Sequence, residues 1–117
     1  MALTLKSYPK RVQNTIASVY SADVPFHYEC YVCEHTLITN DEIAPQLPVD
    51  VSSTSIHVPG NGAIYRLIGD GTHTPTFNAT FKKSGGSGDF VATLNTINLI
   101  TFMFDGVDYW YNITQPA

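Results

Sequence analysis

The chain contains little charge and few basic residues. Charged side chains make up 14% of its 117 residues, well below the quarter that is usual in soluble domains. Only six residues are Lys or Arg, and the formal net charge is −4. Because nucleic-acid binding depends on a basic surface that neutralises phosphates, we expect no nucleic-acid partner.

Long apolar runs are also missing. No stretch approaches the roughly 18–20 apolar residues that a membrane-spanning helix needs. The N-terminal sequence MALTLK lacks the basic-then-apolar order of a secretory signal peptide. We therefore expect no membrane span and synthesis in a cytoplasm, where cysteines stay reduced.

The third absence is the helical period, since no long segment repeats apolar residues every 3.6 positions. Short alternating stretches are instead separated by Gly, Pro and Asn turns, as in β-sandwiches and barrels. The sequence predicts an all-β protein, either an antiparallel β-sandwich or a jelly-roll-like barrel. Residues 1–14 are predicted to be an N-terminal arm, and residues 15–117 a single β-sandwich domain. Residues 41–44 suggest one helical turn, and the expected strands are 15–20, 26–33, 51–58, 63–68, 76–82 and 90–94, followed by a C-terminal hairpin.

The clearest local signal is the Asp105-Gly106 pair between two β-prone runs. Asp-Gly favours a two-residue type I′ turn, which fixes the strand register. This register puts one apolar set on a core face: Phe104 opposite Val107, Phe102 opposite Tyr109 and Ile100 opposite Tyr111. The other face pairs Met103 with Asp108, Thr101 with Trp110 and Leu99 with Asn112.

The sequence does not point to a catalytic centre, a cofactor site or a metal site. Cys30 and Cys33 form a C-x-x-C pair flanked by His27 and His35. On a strand the two thiols would point to opposite faces, which opposes joint zinc ligation. A redox pair would need a helix after the strand. We interpret both as ordinary thiols, with a metal site and a disulfide or redox role as the alternatives.

Trp110 is the only tryptophan, and its predicted face is not the core face. Such a side chain can become buried in a subunit contact or can stack against a sugar ring. Leu99 and Met103 share that face. These three residues are the candidate interface or ligand-contact residues.

Several runs in the second half resemble a β-rich module of tailed-bacteriophage virion proteins, of the head-fibre, decoration or tail-fibre type. The resemblance covers about residues 63–115, and its motifs are turn and core patterns. They are GDGTHTPTF at residues 69–77, FKKSGGSG at 81–88, NLITF at 98–102 and DGVDYWY at 105–111.

The resemblance implies a non-enzymatic structural component of a virion, located in the virion after synthesis in the host cytoplasm. It would bind other virion proteins in a capsid or tail lattice and form a homo-oligomer, with trimers common among fibres. The alternative is a glycan- or host-receptor-binding module of a phage fibre. The two differ in whether Trp110 becomes buried between chains or meets a sugar.

Overall fold

The computed structural model describes residues 15–17, 20–26, 29–46 and 57–116. Within these ranges the protein is all-β, without a helix, and its strands form two sheets. The strands are β1 (Thr15–Ala17), β2 (Asp23–Val24), β3 (Cys30–Thr36), β4 (Glu42–Pro45), β5 (Gly62–Ile68), β6 (Thr76–Phe77), β7 (Phe81–Lys83), β8 (Ile97–Phe104) and β9 (Tyr109–Thr114).

The chain alternates between the two sheets over its first six described strands. The large sheet has the order β1-β3-β5-β8-β9-β7, and the small sheet has the order β2-β4-β6. Strands β1, β3 and β5 therefore lie side by side and parallel, while β2, β4 and β6 do the same in the other sheet. Parallel neighbours need a long connection, and here each such connection includes one strand of the other sheet.

The prediction of an antiparallel arrangement is wrong for most of the described strand pairs. Only β5 with β8 and β8 with β9 are antiparallel, whereas the other five pairs are parallel. The period-2 pattern reports which face of a strand is buried but not which strand lies beside it. The all-β prediction is confirmed, while the jelly-roll form of it is not.

One hydrophobic core receives side chains from both sheets. Phe77 of the small sheet stacks on Tyr111 with ring centroids 4.0 Å apart, and it also approaches Phe102 at 6.4 Å. Tyr65 meets Phe102 edge-on at 5.1 Å, and its hydroxyl donates to the carbonyl of Ser21 at 2.8 Å. Aromatic pairs in these geometries add to the hydrophobic gain from burial. The buried apolar residues are Val24, Phe26, Cys33, Leu37, Ile43, Ala63, Tyr65, Leu67, Phe81, Ile100, Phe102 and Ile113.

The C-terminal hairpin exists, but its predicted register is wrong by two residues. Phe104 lies opposite Tyr109, Phe102 opposite Tyr111 and Met103 opposite Trp110. The connection therefore spans residues 105–108 instead of a two-residue turn. A shift of two leaves the paired side chains on their original faces, so the predicted division into core and non-core faces is confirmed within the two strands. It is wrong for Val107, which lies in the connection and is 81% exposed.

Three further local predictions are wrong. Residues 42–45 form β4 instead of part of a helical turn, and residues 90–94 do not form a strand. The predicted strand at 76–82 is split into β6 and β7 by a turn in which the amide of Phe81 donates to the carbonyl of Asn78 at 2.9 Å. The strand predicted at residues 26–33 corresponds to β3, which begins at Cys30 and continues to Thr36. Residues 1–14, 27–28 and 51–56 lie outside the described part, so the predicted N-terminal arm stays a prediction. The strand predicted at 51–58 also lies mostly outside the described part, and its last two residues, 57 and 58, are not in a strand.

The buried side chain of Asn98 explains why residues 90–94 do not join the sheet as a strand. Its side chain is fully buried, and Oδ1 accepts the amide hydrogen of Val91 at 2.8 Å. Its Nδ2 donates to the carbonyls of Val91 at 2.9 Å and Leu67 at 3.3 Å. The backbone groups of Val91 are thus satisfied by a side chain, so they do not need a neighbouring strand.

Candidate functional site

The large sheet presents a broad face that points away from the core. On β8, residues 98, 100 and 102 are buried, while the alternate residues Leu99, Thr101 and Met103 point outward. Register extends this alternation to β3, β5, β9 and β7. We call the outward-pointing side chains of these five strands the outer sheet face. All three candidate contact residues, Leu99, Met103 and Trp110, lie on it.

Trp110 is half-buried among its cross-strand neighbours. Met103 lies directly opposite it on β8, and Lys82 lies opposite it on β7. The Lys82 ammonium is 6.0 Å from the indole centroid, at the outer limit for a cation–π contact. Lys82 also forms an ion pair with Asp108 at 3.2 Å. Met103 is 43% exposed, so it offers more accessible apolar surface than the half-buried Trp110 opposite it.

Asp105 fixes both the loop and the indole. Its Oδ2 accepts the indole N–H of Trp110 at 2.8 Å. Its Oδ1 accepts the amide hydrogens of Val107 at 2.7 Å and Asp108 at 2.6 Å. Hydrogen bonds to the ionised form favour that form, and these bonds, led by the one from the Asp108 amide, lower the pKa of Asp105. The carboxylate thereby selects the four-residue loop, in which Gly106 has a φ of 101°.

Leu99 lies on the same face but is not next to Trp110. It is half-buried between Arg66 on β5 and Thr114 on β9. Arg66 forms an ion pair with Glu34 at 3.4 Å. The structure therefore brings Met103 and Trp110 together and places Leu99 four residues from Met103 along the same strand.

Sequence reasoning missed Lys82 and Asp105 as neighbours of Trp110. Lys82 belongs to a short strand that pairs in parallel with β9, and nothing in the alternating pattern indicates this pairing. The role of Asp105 was hidden by the Asp-Gly signal, which predicts a turn in which the backbone alone sets the geometry. An Asp that accepts amide hydrogens two residues ahead is a common alternative, and this is the signal that could have found it.

The three histidines in the described part of the chain each have a partner. His35 stacks on Tyr20 with centroids 4.2 Å apart, and His57 Nδ1 lies 2.6 Å from the Tyr109 hydroxyl. His73 Nδ1 lies 2.5 Å from Asp70 Oδ2. Asp70 also accepts the His73 and Thr72 amide hydrogens, and these bonds, led by the one from the His73 amide, lower the pKa of Asp70 to about 2. These contacts hold turns and rings in place.

The two cysteines are free thiols in different environments. Cys33 is fully buried beside Tyr65 on the core face of β3, and burial raises the pKa of its thiol to about 11. Cys30 is half-buried on the outer sheet face, where it lies opposite Gly62. Their opposite orientation matches the expectation from a strand.

Across the described ranges, the structure contains no group of three or more His, Cys, Asp or Glu side chains that could hold a metal ion. The same ranges contain no helix long and apolar enough to cross a membrane. No protein-family model matches the chain, and no curated protein or solved structure matches it either.

Proposed function

We propose that this protein is a non-enzymatic structural component of a bacteriophage virion that assembles through subunit contacts. The virion assignment is supported by the resemblance of residues 63–115 to phage head-fibre, decoration and tail-fibre modules. In this proposal the two packed sheets form a rigid sandwich-like body, and the protein is made in the host cytoplasm before joining a capsid or tail lattice. Two free thiols are compatible with a reducing compartment.

The assembly role is carried by one observation, which is the apolar character of the outer sheet face. The hairpin β8–β9 buries its inner side chains in the core, yet its other side presents Leu99, Met103 and Trp110. Large apolar side chains grouped on an exposed surface are typical of protein–protein contacts. Aromatic residues and Met are enriched at the centres of such interfaces.

The first test is the native mass of the purified protein by light scattering, over a range of concentrations. We expect an oligomer for the wild type and a lower mass for Trp110→Ala. Leu94→Ala is the matched control, because Leu94 is 62% exposed and lies outside the outer sheet face. An oligomer whose mass is unchanged by Trp110→Ala would contradict this placement of the interface.

A wild-type protein that stays monomeric at every concentration would contradict self-assembly. The virion role would then depend on docking of single copies. Binding of the monomer to assembled phage particles, measured by co-sedimentation, would test that role directly. Failure to bind particles as well would remove the virion proposal.

A second candidate is a glycan- or host-receptor-binding module, which the acidic groups around Trp110 favour. Asp105 accepts the indole N–H, and Asp108 pairs with Lys82, which lies beside the indole, so the platform has polar neighbours as expected for sugar stacking. The positions of Lys82 and Met103 beside the indole leave less of it open for stacking. Binding to a glycan array that disappears in Trp110→Ala, with the native mass unchanged, would favour this candidate over assembly.

A further inference from the structure

We draw no further inference here: the strongest candidate, the apolar outer sheet face around Met103 and Trp110, carries none, because nothing in the described part of the chain shows what covers it.

Discussion

The two faces of the hairpin β8–β9 are built from alternate residues of the same strands, yet they serve different purposes. The inner residues Ile100, Phe102 and Ile113 are at most 2% exposed and belong to the shared core. The outer residues Thr101, Met103 and Thr114 are exposed. The inner face is constrained by packing within the chain, whereas the outer face is left available for contacts with other molecules. The difference locates the candidate function on one side of a single sheet.

Truncating an inner side chain should have the largest effect on stability. Phe102 contacts Tyr65 and Phe81 with ring centroids 5.1 Å apart in both cases. We expect Phe102→Ala to lower the free energy of unfolding by about 3–5 kcal/mol, because it removes a buried ring and leaves a cavity. Urea unfolding of the monomeric protein would measure this.

Met103→Ala is the matched outer substitution, since Met103 is the next residue and points the other way. We expect it to change the free energy of unfolding of the monomer by less than about 1 kcal/mol. An equally large loss for Met103→Ala would mean that both faces are constrained by folding, and the comparison between them would fail.

The buried Asn98 is the polar exception on the inner face, and removing its amide should also be costly. Asn98→Leu leaves the Val91 amide and the Leu67 carbonyl without their side-chain partner. A buried polar group left unpaired costs about 1–3 kcal/mol. The Leu67 carbonyl is buried and the Val91 amide is part-buried, so we expect a total loss of at least about 1 kcal/mol. Faster hydrogen exchange of the Val91 amide would identify the cause.

Gln115→Ala is the corresponding control. Gln115 Nε2 donates to Asn98 Oδ1 at 2.8 Å, but Gln115 is exposed. Its removal leaves the bond from the Val91 amide intact, so only a small loss is expected. A loss equal to that of Asn98→Leu would indicate that the network depends on the exposed residue.

The alternating pattern was sufficient to predict the faces of this hairpin but not its register. Alternation along each strand is enough to place Phe102 on the inner face and Met103, Leu99 and Trp110 on the outer face. The register depended on the Asp105 carboxylate, which satisfies two loop amides and the Trp110 indole. A side chain that satisfies backbone groups competes with the turn expected from the dipeptide, and a pattern of apolar residues does not report this competition.

The strand pairing in the first half of the chain could not be predicted from the sequence, for a different reason. Cys33 pairs with Tyr65 across a separation of 32 positions, and Ile43 pairs with Phe77 across 34. Antiparallel neighbours can be joined by a short turn with recognisable residues, but parallel neighbours have no such local signal. The same argument explains why Lys82 was not linked to Trp110.

The two cysteines offer a chemical version of the inside–outside comparison. Burial raises the pKa of the Cys33 thiol to about 11 and removes it from solvent, whereas Cys30 lies half-buried on the outer sheet face. Thiolate is the reactive form, so we expect one thiol to react with Ellman's reagent in the native protein and two after unfolding. Cys30→Ser should abolish the native reaction, and a native reaction that persists would place Cys33 within reach of solvent.

The smallest expected effect concerns Asp105, whose bonds link the loop to the outer sheet face. Its pKa is lowered in the folded protein, so its contribution to stability is complete above the ordinary value of 3.8 and is lost as the pH falls below it. Protonation should loosen the Trp110 indole, and we expect a shift in tryptophan fluorescence in this acidic range. Asp105→Asn should remove the shift, because its side chain stays uncharged throughout. Asp70→Asn is the control, since Asp70 also has a lowered pKa but is not bonded to Trp110; a shift that disappears in Asp70→Asn instead would assign the transition to the His73 turn.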